Sequence, residues 1–101
     1  MQLNGATIIN NTMTDNMTLT YLRIHDPGHS WLKVPVKDVR DIAGVFDNIT
    51  AYSPLKRGFF YLEEDCDMYT FYKAMTDKGY TVNIKNLNVG DFDDYLQKAA
   101  W

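Results

Sequence analysis

The chain has 101 residues, of which 46% are hydrophobic and 14% aromatic, with 13 acids against 10 bases and a formal net charge of −3. That length gives one domain with one modest core, and that aromatic content excludes a disordered chain. Mild acidity disfavours general electrostatic attraction to DNA or RNA, which needs a basic face, so no direct nucleic-acid contact is expected.

Residues 6–9 (Ala-Thr-Ile-Ile) have the composition of a short strand, and Asn10 to Asn16 reads as a mobile polar connection. Thr18 to Ile24 is rich in β-branched and aromatic residues and predicts a strand. Thr20, Leu22 and Ile24 share one of its faces, and Leu19, Tyr21 and Arg23 the other. Asp26-Pro27-Gly28-His29 predicts a type II turn, with glycine at the second central position. Trp31 to Val34 returns as the second arm of a hairpin. Val36, Val39, Ile42 and Ala43 have helical spacing, and Gly44 is a C-cap. Ile49–Ser53 and Gly58–Leu62 predict a second hairpin around a basic loop, Pro54-Leu55-Lys56-Arg57.

Asp65 is the expected N-cap of the next helix, with Asp67 favouring its positive dipole end. Met68, Phe71, Tyr72 and Met75 form its apolar stripe, and Lys78-Gly79 stop it. Tyr80, Val82 and Ile84 alternate as in a half-buried strand. Asp91 onward predicts a short helix with Phe92, Tyr95 and Leu96 on one side. The order β-β-α-β-β-α-β-α gives a single small α+β domain over residues 1–101. Its sheet is mostly antiparallel, with the helices on one face. The strands flanking Asp65–Gly79 are expected to run parallel, joined by a right-handed crossover.

Two polar clusters fall at element boundaries, where rigid elements position free side chains. One is His25-Asp26-Pro27-Gly28-His29-Ser30-Trp31; the other is Glu63-Glu64-Asp65-Cys66-Asp67. His25 and His29 span a tight turn and, with acids of residues 63–67, have the ligand types for zinc or a related metal, but the spacing matches no zinc signature. His25, Asp26 and Ser30 have the types of a nucleophile relay without an elbow motif or oxyanion hole. Cys66 lies at a helix start that lowers a thiol pKa, beside four carboxylates that raise it, and is expected to be a partly buried structural thiol. The acidic run lacks the spacing and glycine of a calcium loop. No catalytic residue and no cofactor is assigned.

From Glu63 onward eight acids (Glu63, Glu64, Asp65, Asp67, Asp77, Asp91, Asp93, Asp94) face four bases (Lys73, Lys78, Lys85, Lys98). The aromatics exceed what one small core needs, which points to a protein interface, including that of a homodimer. One cysteine implies a reducing compartment, and no secretory leader or membrane span is visible.

Residues 25–35 (His-Asp-Pro-Gly-His-Ser-Trp-Leu-Lys-Val-Pro), 49–53 (Ile-Thr-Ala-Tyr-Ser) and 61–67 (Tyr-Leu-Glu-Glu-Asp-Cys-Asp) resemble, in order and spacing, a family of small bacteriophage and plasmid proteins. The likeness covers roughly residues 23–79 and carries no assigned activity. It implies an accessory gene product of a mobile element, acting in the cytoplasm of a bacterial host cell. The expectation is a non-catalytic protein that binds and blocks a host protein of defence or nucleic-acid metabolism. Its contacting residues would be His25, Asp26, His29, Trp31, Lys56, Arg57, Glu63, Glu64, Asp65 and Asp67. Two alternatives stand beside it: a small metal-dependent hydrolase using His25, His29 and acids of 63–67, and an acidic mimic of nucleic acid.

Overall fold

The computed structural model describes residues 17–99; the strand expected at 6–9, the connection at 10–16 and Trp101 lie outside the described residues. The elements are β1 (Thr18–His25), β2 (Ser30–Pro35), β3 (Leu55–Lys56), β4 (Phe59–Glu63), α1 (Asp67–Asp77), β5 (Thr81–Asn88) and α2 (Phe92–Ala99). The strands form one sheet in the order β3-β4-β2-β1-β5. β1–β2, β2–β4 and β3–β4 pair antiparallel, and β5 pairs parallel with β1. This is the expected α+β class with a mostly antiparallel sheet. β4 and β5 run in the same direction, as expected of the strands flanking α1, but β2 and β1 lie between them. None of the helices in the described residues is long and apolar enough to cross a membrane.

Alternation along the strands sorts side chains onto two faces. Leu19 and Tyr21 of β1, Leu32 and Val34 of β2, Phe60 and Leu62 of β4, and Val82 and Ile84 of β5 share one face with Met68, Phe71 and Met75 of α1. The Tyr21 and Phe71 rings meet edge to face at 5.3 Å. Ile24, Trp31, Phe59 and Tyr61 point to the opposite face, where Phe92, Tyr95 and Leu96 of α2 pack. The helices therefore do not all share one face as expected: α2 sits across the sheet from α1. Aromatic residues on both faces of β4 require this, since one layer of helix cannot cover both. Lys33 closes part of the second face with its ammonium 4.5 Å from the centre of the Phe59 ring.

Residues 36–42 are helical, close to the expected range, but the turn is widened over Asp38–Ile42. Ala43 N–H donates to the Asp38 carbonyl, five residues back, at 2.8 Å. Val39 and Ala43 are buried, and Asp38 turns inward to accept the Tyr21 hydroxyl at 2.8 Å. Burial and this carboxylate both push the Tyr21 phenol well above its ordinary range, so it stays a donor. Gly44 ends the segment at φ +70°.

Residues 49–53 do not form the expected strand. They follow a short 3₁₀ turn (Phe46–Asn48) and form turns of their own, because Thr50 and Ser53 are drawn to Asp67. The hairpin arm is only Leu55–Lys56, and Arg57 (φ +52°) and Gly58 (φ +85°) form its two-residue turn. Lys56 is thus in a strand and Arg57 alone is at the tip. α1 begins one residue later than expected, with Cys66 at the cap position in place of Asp65 and no side-chain cap bond. A cap contributes about 1 kcal/mol. Burial of Met68, Phe71 and Met75, at about 2 kcal/mol each, outweighs its absence. Tyr72, expected in the stripe, is 43% exposed.

Candidate functional site

The β1–β2 turn is organised by Asp26. Its Oδ1 accepts the N–H groups of Gly28 (3.0 Å) and His29 (2.9 Å), while its own N–H donates to the His29 carbonyl (3.0 Å). Gly28 does not have positive φ, so this is a carboxylate-braced turn and not the expected type II. The Oδ2 accepts Phe92 N–H at 3.3 Å and caps the first turn of α2 from across the fold. Desolvation raises the Asp26 pKa, but the N–H groups of His29, Gly28 and Phe92, with the His29 imidazole, outweigh it and hold the carboxyl below its usual value.

The expected relay of His25, Asp26 and Ser30 does not assemble. His25 Nε2 shares a 2.8 Å hydrogen bond with Asn86 Oδ1, and Asp26 is committed to the turn. Ser30 is buried. Its hydroxyl accepts from Arg23 Nε (2.9 Å) and donates to Glu64 Oε1 (2.7 Å), bridging a cation and a carboxylate. The two histidines do not converge either: His25 turns to β5, and the His29 ring lies 6.0 Å from that of Trp31. Among the described residues there is no group of three or more His, Cys, Asp or Glu side chains placed to hold a metal ion.

The acidic run divides into four roles. Asp67 is fully buried. It accepts Thr50 N–H at 3.1 Å, the Thr50 hydroxyl at 2.6 Å and the Ser53 hydroxyl at 2.5 Å. Ser53 in turn accepts Glu63 N–H at 2.9 Å. Asp67 is thus an internal clasp holding the 50–53 loop to the start of α1, with Ser53 tying the same loop to β4, and not the contacting side chain expected. Glu64 is held by Ser30. Glu63 Oε2 accepts Asp65 N–H at 3.0 Å, which shapes the β4–α1 junction. The Asp65 carboxylate, expected to cap α1, has no hydrogen bond or ion pair among the described residues.

Trp31 and Glu63 are direct cross-strand partners. Around them His29, Tyr52, Asp65 and Cys66 complete a cleft of about 440 Å³. Phe92 lies flat on one face of the indole (3.7 Å between ring centres, 12° between planes), which fixes the orientation of Trp31 in the cleft wall. Tyr52 is 78% exposed, and Cys66 is exposed, not partly buried as expected. The two polar clusters of the sequence therefore meet, through His29 and Trp31 on one side and Glu63 and Asp65 on the other. His25, Asp26, Glu64 and Asp67 support the fold around the cleft. Lys56 and Arg57 lie beyond Phe59, at the opposite end of β4 from Glu63, about 13 Å of strand away. Tyr52 and Cys66 were not among the expected site residues. Tyr52 has no signal in the sequence alone, since its exposure follows from Thr50 and Ser53 being drawn to Asp67, whereas Cys66 is expected at a helix start but as a partly buried thiol.

A larger groove of about 580 Å³ runs beside α2, lined by Val89, Gly90, Asp91, Asp94, Tyr95 and Lys98. Its polar groups are already engaged: Lys98 pairs with Asp94 at 3.1 Å, and Asp91 accepts Asp94 N–H at 2.9 Å. The smaller cleft combines two aromatic side chains with a carboxylate that has no partner among the described residues, and is the better candidate on chemical grounds. No family model, curated protein or solved structure matches this chain.

Proposed function

We propose that this protein is a non-catalytic accessory protein of a bacteriophage or related mobile element, which docks on a host protein through the Trp31–Tyr52–Glu63–Asp65 cleft and blocks it. One observation carries the reading: residues 29–31 and 63–66, far apart in sequence, converge on one concave surface. That surface has a Tyr and a Trp, the side chains that most often anchor protein interfaces, and its acids favour a basic partner surface. The mobile-element context, and with it a bacterial cytoplasm, rests on the three residue blocks that resemble phage and plasmid proteins.

The test is affinity capture from a bacterial lysate with the wild-type chain and with Tyr52→Ala/Asp65→Asn. Both substituted side chains are exposed, so the circular dichroism spectrum and melting temperature stay those of wild type. The captured protein is lost from the variant. Capture at undiminished yield refutes the cleft as the docking surface.

A further inference from the structure

We infer that the cleft takes an arginine side chain of the bound partner. The inference rests on the cleft being a docking site and names the chemical group it recognises.

Three features select a cation. Glu63 and Asp65 both line the cleft, and no lysine or arginine among the described residues does. The Asp65 carboxylate has no partner among the described residues, and Glu63 uses Oε2 on the Asp65 amide, leaving its other oxygen without one. An anionic ligand would be repelled by both carboxylates, with only the neutral donors of Trp31 and Tyr52 and the His29 ring to offset it. Asp67, which would add a third negative charge, is turned away and saturated by Thr50 and Ser53, so the cleft offers two accepting carboxylates.

Two further features select a guanidinium over an ammonium. Trp31 and Tyr52 are flat π surfaces, and Trp31 is locked against Phe92, so it is already oriented. A planar guanidinium stacks on such rings and presents several N–H donors in one plane, matching two neighbouring carboxylates; a lysine ammonium does only the first part of this, as a point charge. The whole supporting frame is internal. The Tyr52 loop is tied to Asp67, and the Asp65 amide to Glu63, so little ordering is needed when the side chain enters.

The experiment titrates the ¹⁵N-labelled full chain with N-acetyl-arginine-methylamide, with the lysine and glutamate equivalents as comparison. It follows the Trp31 indole N–H, identified with Trp31→Phe, and the backbone amides of 52 and 63–66. The expected result is saturable shifts confined to these groups with the arginine compound. Binding should be several-fold weaker with lysine, absent with glutamate, and reduced by added salt. Glu63→Gln/Asp65→Asn keeps the shapes and the Glu63-to-Asp65 hydrogen bond and weakens arginine binding about tenfold, the loss of two charge-assisted contacts at an exposed site. The inference is overturned by absence of saturable shifts with arginine, by equal affinity for lysine or glutamate, or by undiminished arginine binding in the double variant. If host capture depends on Tyr52 and Asp65 while the arginine compound leaves the cleft untouched, docking stands and the arginine assignment falls. If arginine binds but the Tyr52→Ala/Asp65→Asn variant captures the host protein at full yield, the docking reading falls instead.

Discussion

Replacing Asp67 by alanine removes the acceptor for three donors at once. The Thr50 N–H lies 3.1 Å from each carboxylate oxygen, and the Thr50 and Ser53 hydroxyls lie at 2.6 and 2.5 Å. A hydrogen bond to a charged group contributes about 1.5–3 kcal/mol net. Thr50 is half-buried, so water reclaims both of its donors and most of their contribution. Ser53 is only 6% exposed and stays dry, and it also orients the Glu63 amide. The expected loss is therefore about 3 kcal/mol, well below the simple sum over three donors. Asp67→Asn keeps one good acceptor and should lose about 1.5 kcal/mol. Urea unfolding reads both: with a slope near ~1.5 kcal/mol per molar, the midpoint falls by about 2 M for alanine and about 1 M for asparagine, at unchanged slope. A fall of less than about 0.5 kcal/mol in Asp67→Ala would refute the clasp.

Further expectations concern the turn, the second core and the thiol. Gly28→Ala should be neutral or slightly stabilising, within about 0.5 kcal/mol, since Gly28 lacks positive φ and an added Cβ meets only the Asp26 carboxylate at 3.9 Å. Gly58→Ala should cost about 1 kcal/mol from conformation alone, because φ is +85° with nothing near the new Cβ; equal effects of the two in thermal melts would show the turn assignments to be wrong. Phe92→Ala, at 4% exposure, should cost about 3 kcal/mol and shift the Trp31 emission to the red, read in a Trp101→Phe background. Asp26 has a lowered carboxyl pKa in the folded state, so its contribution is complete above the unfolded value and is lost as pH falls through the folded one. Asp26→Asn should accordingly flatten the stability profile below about pH 4, and an unchanged acid limb would contradict this. Cys66 should react fully with an aromatic disulfide reagent in native buffer.

Local pattern carried most of the architecture. The two-residue alternation of Leu19 to Ile24 assigned both faces of β1, and Met68, Phe71 and Met75 marked the buried side of α1. Long-range pairing was not legible in this way. Nothing in Thr81–Asn88 says that it lies beside β1, because register with a distant strand is decided by the packing of the whole sheet. The 49–53 segment misled for a related reason. Its β-branched and aromatic residues favour a strand, but a tertiary partner, Asp67, takes Thr50 and Ser53 out of the ladder. Within the acidic run, composition could not tell which carboxylate is buried. Asp65 as a cap and Asp67 as a first-turn acid both read as solvent-facing, and only the donors arriving from residue 50 and residue 53 show that Asp67 is the buried one. The meeting of Trp31 with Glu63 follows from the β2–β4 register, which pairs them directly.

The parallel partnership of β1 with β5 has a consequence for synthesis. Thr18 faces Thr81 and His25 faces Asn88, so the first described strand to leave the ribosome waits for the last before one of its sides is satisfied. Until then the nascent hairpin carries an open row of amides and carbonyls beside Tyr21 and Ile24, the combination that invites pairing with other chains. This pairing, with the largest sequence separation in the sheet, is the one whose closure costs most chain entropy and comes last from the ribosome.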